Sequence, residues 1–282
     1  MCGIVGYVGT PGQSKPALGV VIDALRRMEY RGYDSAGIAL LDGSGGMAVE
    51  KKAGKLDNLV ATVESAGLEN YPATTGIGHT RWATHGRPTD INAHPHVDQL
   101  GKIAVVHNGI IENFAPLHAE LEAQGVEFTS ETDTETVTHL LHAEYYGEGP
   151  NAGNFTASVM AVINRLEGAF TLVIAHADHP DMLMACRRST PLVIGVGEHQ
   201  MFLGSDVAAF IEHTREAVEL GQDNVVTITA DGYTITDFEG NPVEGRPFTI
   251  DWDLEAAEKC GYDYFMLKEI AEQPQALSLI HI

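Results

Sequence analysis

Apolar and polar positions along the chain fall into two rhythms. The run from Cys2 to Val8 alternates with the two-residue period of a strand, whereas Val21, Ala24, Leu25 and Met28 recur at helical spacing between Ser14 and Tyr30. Gly37–Leu41 and Met47–Lys52 read as two strands around the glycine-rich turn Asp42–Gly46. A helix is predicted over 56–63, and strands around 76–82 and 102–107. Phe114, Leu117 and Leu121 mark one face of a further helix, and another starts at Thr132. Ala169–His176, Met182–Cys186 and Leu192–Gly197 are short apolar strands, and Asn224–Phe238 is a hairpin around Asp231-Gly232. Many strands interleaved with a few amphipathic helices predict a layered sheet sandwich with helices outside. No internal repeat or low-complexity linker interrupts the chain before about residue 246.

Composition narrows the function. At 282 residues and 44% apolar, the chain can bury a sizeable core in one to two domains. Its 39 acidic against 17 basic residues give a formal charge of −22, which argues against nucleic acid and anionic membrane as partners. The three cysteines, Cys2, Cys186 and Cys260, are odd in number and widely spaced. They form neither a disulfide framework nor a thiolate metal site. Cys186 and Cys260 read as structural or incidental. With no secretory signal and no membrane-length apolar run, a cytoplasmic location is expected.

The chemistry concentrates at the second residue. Removal of Met1 leaves Cys2 with a free α-amino group that titrates near ~8, beside a thiol that titrates near ~8.5. Nucleophile and proton acceptor then sit on one residue. Position alone serves as well for an ordinary small residue in a strand. Four other stretches carry polar groups where core or helix patterning does not place them: Glu29–Leu40 (EYRGYDSAGIAL), His79–Gly86 (HTRWATHG), Val105–Asn113 (VVHNGIIEN) and Ser130–Glu135 (SETDTE). Two of them follow apolar strands, whose ends present polar groups to ligands.

Together with Cys2-Gly3-Ile4-Val5-Gly6, these stretches resemble the class II glutamine amidotransferases, which are N-terminal nucleophile hydrolases. Within that class RRMEYRGYDSAG, HTRWATHG, NAHPH and HNGIIEN are similar to the glutaminase part of the aminotransferases that use glutamine to aminate fructose 6-phosphate. The likeness runs from Cys2 to about Ala276. It implies an α+β fold, a four-layer αββα sandwich of two antiparallel sheets flanked by helices. The implied domains are a glutaminase over 2–246 and a connector over 247–276 that leads toward a sugar-phosphate isomerase region.

The resemblance also assigns roles. Cys2 attacks the γ-amide of L-glutamine, and Asn108 and Gly109 form the oxyanion hole. Asn-Gly is by itself a turn signal, read here as a functional loop at a strand end. Arg81 holds the α-carboxylate with its planar fork, and Asp133 pairs with the α-ammonium. As isolated residues, Arg81 is equally a surface charge and Asp133 a helix N-cap, a place Thr132 can also take. Arg31 resembles an arginine beside the nucleophile's backbone. Trp82 and His85 lie in a loop that closes over glutamine, with Trp82 resembling an ammonia gate. Neither cofactor nor metal is expected. Fructose 6-phosphate enters only through further domains, where the ammonia makes glucosamine 6-phosphate for hexosamine and cell-wall precursors, and the full-length enzyme is expected to be a homo-oligomer. This chain is expected to carry out the glutaminase half-reaction alone.

Alternatives remain open at this point: a glutaminase domain of another class II amidotransferase, a glutamine-binding module with a masked cysteine, or a metal-dependent hydrolase. His79, His85, His94, His96 and His107 are close enough in sequence to suggest the last, but their spacing is not H-E-x-x-H and no carboxylate stands at a matching ligand position. His139 and His142 share one helical face and read as packing or solvated residues, and Asp206 as the cap of a turn. The ending LSLIHI matches the translation of a sequencing adapter, so residues 277–282 are expected to be non-native.

Overall fold

The computed structural model describes residues 2–83, 86–251, 266–268, 270–271 and 273–274. His85, Cys260 and the tail 277–282 lie outside the described residues, as does most of the expected connector. The chain opens with β1 (Gly3–Gly9), α1 (Ala17–Arg27), β2 (Ser35–Leu41), β3 (Met47–Ala53), α2 (Leu56–Ser65) and β4 (Thr75–Arg81). Next come β5 (His96–Val97), β6 (Ile103–Ile111), α3 (Phe114–Ala123), α4 (Asp133–Tyr146) and α5 (Phe155–Ile163). The remaining strands are β7 (Gly168–His176), β8 (Met182–Arg188), β9 (Val193–Gly197), β10 (Gln200–Gly204), β11 (Glu216–Glu219), β12 (Asn224–Thr229), β13 (Gly232–Asp237) and β14 (Arg246–Thr249).

The strands form an eight-stranded sheet in the order β14-β11-β9-β10-β1-β4-β2-β3 and a six-stranded sheet in the order β13-β12-β8-β7-β6-β5. Every pairing in both sheets is antiparallel.

Strand alternation sorts the residues into layers, because successive side chains point to opposite faces. Ile4 and Val8 of β1 enter the core between the sheets with Ala104, Val106, Val173 and Leu203. Val5 and Tyr7 point the other way, into a cluster with Val21 and Leu25 of α1 and Leu59 of α2. On the far side, Ile103 and Val105 of β6 pack under Leu117, Val137, Leu140 and Val159 of α3, α4 and α5. The result is the expected αββα sandwich. Among the described residues no helix is long and apolar enough to cross a membrane.

The differences from expectation have local causes. The helix expected over 14–30 starts only at Ala17, behind Pro16, and its last turn tightens to a 3-10 turn at Glu29–Arg31 that Gly32 ends with φ +72°. The strand expected over 102–107 runs on to Ile111, so Asn108-Gly109 is not a loop. Those residues pair with Thr171 and Phe170 of β7 inside the ladder. The helix α5 was not anticipated, because a nearly all-apolar run carries no clear period.

The head of the chain is tied down. Gly3 N–H donates to Thr80 Oγ1 (3.0 Å) and Ile4 N–H to Ser205 Oγ (3.0 Å), so β1 starts in a fixed place between β4 and β10.

Candidate active site

Cys2 stands where β1 begins and β4 ends. Its Sγ accepts the Trp82 N–H at 3.1 Å and lies 3.6 Å from the Trp82 carbonyl oxygen. Burial pushes the Cys2 thiol above its ordinary value, against a lowering pull from the Trp82 backbone. At neutral pH the group is therefore a thiol, and attack requires a proton acceptor. The Cys2 carbonyl accepts Asn108 Nδ2–H at 3.0 Å, which ties the head of one sheet to β6 of the other.

Cys2 borders two cavities. The larger, about 230 Å³, is walled by Arg81, Asp133, Thr134, Gly109 and Ile110. Arg81 ends β4, is 4% exposed, and has its guanidinium charge depressed by burial and supported by Asp34, Cys2 and Asp133. Asp133 is the first residue of α4 and 7% exposed; its Oδ2 accepts Ile111 N–H at 2.8 Å. The N-cap position belongs to Thr132, whose side chain makes no cap bond and faces His96 Nε2 at 2.9 Å. Asp133 is thus no N-cap: its carboxylate turns to β6 and to the cavity. A buried cation and a buried anion on one small cavity match the two charged ends of a free amino acid.

The second cavity, about 150 Å³, touches Asn108, Gly109, Thr190, Ser205 and Arg31. Arg31 lies here, on the same cavity as Cys2. It forms an ion pair with Asp206, and its Nε donates to Tyr30 Oη at 3.2 Å. Asp206 also caps the following turn through Ala208 N–H (2.9 Å), as expected. Trp82 is 56% exposed at the rim of the larger cavity.

Sequence reasoning weighed the clustered histidines as metal ligands, set that reading aside on their spacing, and missed what they do. His79 and His94 stack at 4.4 Å, His94 Nδ1 accepts His107 N–H at 3.2 Å, and His107 Nδ1 meets Thr134 Oγ1 at 2.9 Å. Burial pushes all of these rings down, His79 to about 3, so they are neutral. His79 Nε2, His94 Nδ1 and His107 Nδ1 are taken by protein partners, whereas His79 Nδ1 and His107 Nε2 have none. Among the described residues no three of His, Cys, Asp and Glu are grouped to hold a metal ion. The usable signal was a polar residue alternating inward along an otherwise apolar strand. Cys186 is fully buried with its thiol pushed up to about 12, which makes it inert.

Glu135 holds the loop in front of α4. Its carboxylate accepts Thr129 N–H (2.8 Å), Thr129 Oγ1–H (2.8 Å) and Ser130 N–H (2.6 Å), with His139 Nε2 at 3.6 Å. Burial alone would raise this carboxyl, but these partners outweigh it and hold it well below the usual carboxylate range. A depressed folded-state pKa adds stability above the unfolded value of about 4.3, and that stability is lost as pH falls through it. Glu135→Gln is expected to cost about 1–3 kcal/mol near pH 7. The gap to the parent should begin to narrow below about pH 4 and keep shrinking as pH falls toward the folded-state value, in denaturant titrations run across pH; a gap that stays constant with pH refutes the assignment.

Fold and site together fit a glutamine amidotransferase domain. A family model described as a glutamine amidotransferase domain matches residues 79–212. Over 99% of its length the chain is 66% identical to the glutamine–fructose-6-phosphate aminotransferase [isomerizing] of Mycolicibacterium smegmatis, covering 45% of that protein. It is 59% identical to the Streptomyces coelicolor protein of the same name, covering 43%. The chain is a glutamine amidotransferase domain similar to the glutaminase domain of these aminotransferases, and spans less than half the length of these curated relatives. Among solved structures, glutamine phosphoribosylpyrophosphate amidotransferase from B. subtilis superposes with TM-score 0.69 at 23% identity, over 86% of this chain and 50% of that one. That likeness shows the shared fold.

Proposed function

We propose that the chain hydrolyses L-glutamine to glutamate and ammonia with Cys2 as nucleophile. The observation that carries this reading is a cysteine sulfur, held by a backbone N–H, beside a cavity whose walls also carry a buried guanidinium and a buried carboxylate.

Once Met1 is removed, the Cys2 α-amine takes the thiol proton and the sulfur bonds to the γ-amide carbon of glutamine. The carbonyl oxygen becomes an oxyanion, which accepts hydrogen bonds from Asn108 Nδ2–H and Gly109 N–H. Asn108 has a hydrogen available for this, because a carboxamide nitrogen carries two and the Cys2 carbonyl takes one. The amide nitrogen then receives the proton held by the α-amine and leaves as ammonia. Water attacks the thioester, giving up a proton through the same amine, and glutamate departs as the thiol re-forms. Arg81 grips the substrate α-carboxylate and Asp133 its α-ammonium. His85 and Trp82 belong to the loop over the bound substrate, with Trp82 gating ammonia, and Arg31 steadies the nucleophile's surroundings.

In the full-length protein, the ammonia converts fructose 6-phosphate to glucosamine 6-phosphate, a precursor of hexosamines and cell wall. Residues 2–246 form the glutaminase, 247–276 lead toward the isomerase region, and the assembly is a cytoplasmic homo-oligomer without a cofactor. The names of the relatives support the fructose 6-phosphate part of this reading.

The test is covalent labelling. Chain shown by intact mass to begin at Cys2 should release glutamate from L-glutamine. A glutamine analogue carrying a γ-electrophile should add one equivalent, mapped to Cys2. A label on any other residue, or none, sinks the proposal.

A further inference from the structure

A carboxamide can sit in its site either way round, and only one orientation of Asn108 offers hydrogens to an oxyanion next to Cys2. The surroundings decide which. The Cys2 carbonyl oxygen can only accept, so the amide nitrogen must face it, at 3.0 Å. Asn108 Oδ1 then points to His79 Nε2, 2.9 Å away, and needs a donor there. His79 is fully buried and its ring neutral, with one proton to place. The proton therefore sits on Nε2. His79 Nδ1 is left bare, and it has no hydrogen-bond partner.

The ring that supplies this donor is itself held. His79 stacks on His94 at 4.4 Å with the planes 18° apart. The segment bearing His94 is clamped by Lys51, whose Nζ donates to the carbonyls of Ile91 (2.9 Å) and Ala93 (3.0 Å). Gly37 on β2 lets that segment approach, since a Cβ there would fall on the His94 carbonyl oxygen.

We propose that His79 is the positioning residue of the oxyanion hole: its Nε2–H locks the Asn108 carboxamide with Nδ2 toward Cys2. The inference rests on the glutaminase reading of Cys2. His79 is fully buried in the inner wall of the larger cavity and acts through Asn108. Its loss leaves the amide free to turn its oxygen toward the reacting carbon, where it repels the developing charge.

His79→Phe keeps a ring to stack on His94 and removes the donor, whereas His79→Gln restores an N–H. Since loss of one oxyanion donor costs about 10²–10³ in kcat, misorienting it should cost about 10–10²-fold, with KM for glutamine changed by less than about 3-fold. His79→Gln should recover most of that loss. In an Asn108→Ala background, His79→Phe should lower kcat by less than about 3-fold more, because the group it positions is gone. Parent-like kcat in His79→Phe, or an equal further loss in the Asn108→Ala background, overturns the proposal. The ring tautomer gives a reading that needs neither turnover nor a variant. Nitrogen-15 shifts of His79 should report a neutral, Nε2-protonated imidazole, and an Nδ1-protonated ring refutes the assignment. A parent that releases no glutamate defeats the glutaminase reading, while the tautomer still decides how Asn108 is held.

Discussion

Cys2→Ala is expected to release no glutamate above the uncatalysed background while melting within a few degrees of the parent. Among the described residues lining the cavity, the sulfur is the strongest nucleophile placed to bond to an amide carbon. Asn108, Gly109, Arg81 and Asp133 can bind the substrate and stabilise charge, but none of them makes the acyl intermediate. The structural loss is small, because Cys2 is half-buried and lies before the first strand. The anchors of that strand are Gly3 N–H and Ile4 N–H, and neither depends on the thiol. Truncating such a residue costs about 1 kcal/mol or less. Glutamate release by a coupled assay, beside a thermal melt, checks both halves. Parent-rate turnover without the sulfur ends the covalent mechanism.

Gly109→Ala should lower kcat by more than about 10²-fold and destabilise the fold by about 1–3 kcal/mol. Gly109 sits at φ +128°, which side-chain-bearing residues rarely adopt, and a Cβ there would fall on the Ala169 carbonyl oxygen of the neighbouring β7. To admit a methyl group, β6 and β7 must move apart at the residue proposed to offer its N–H to the oxyanion. Both effects arise from one atom, so they should appear together. A variant with parental kcat and melting point removes Gly109 from the proposed oxyanion hole.

Much of this molecule was legible before any coordinates. The alternation of Ile4 and Val8 against Val5 and Tyr7 already demanded a strand covered on both faces, and the spacing of Val21, Ala24, Leu25 and Met28 supplied a helix to cover one of them. Asn108-Gly109 misled because that dipeptide favours positive φ, and turns are where positive φ is common; here the same property is spent inside a ladder. Short strands such as β11 and β14 carry too few residues to show a period. The stack of His79, His94 and His107 could be seen in sequence only as residue types. Its rings come from β4, the segment before β5, and β6, and meet only where the two sheets pack. Likewise, the bond from Trp82 N–H to Cys2 Sγ spans 80 residues and uses a backbone group that no motif names.

Cys2 heads a strand of the eight-stranded sheet, while Asn108 and Gly109 belong to the six-stranded one. In the proposed mechanism, the reach from attacking atom to stabilising hydrogen therefore depends on the thickness of the hydrocarbon slab formed by Ile4, Val106, Val173 and their neighbours. A greasy interior would thus act, together with the Asn108–Cys2 hydrogen bond, as the spacer of the proposed reaction. Slack in that slab would be felt as lost rate even where every residue at the cavity is intact.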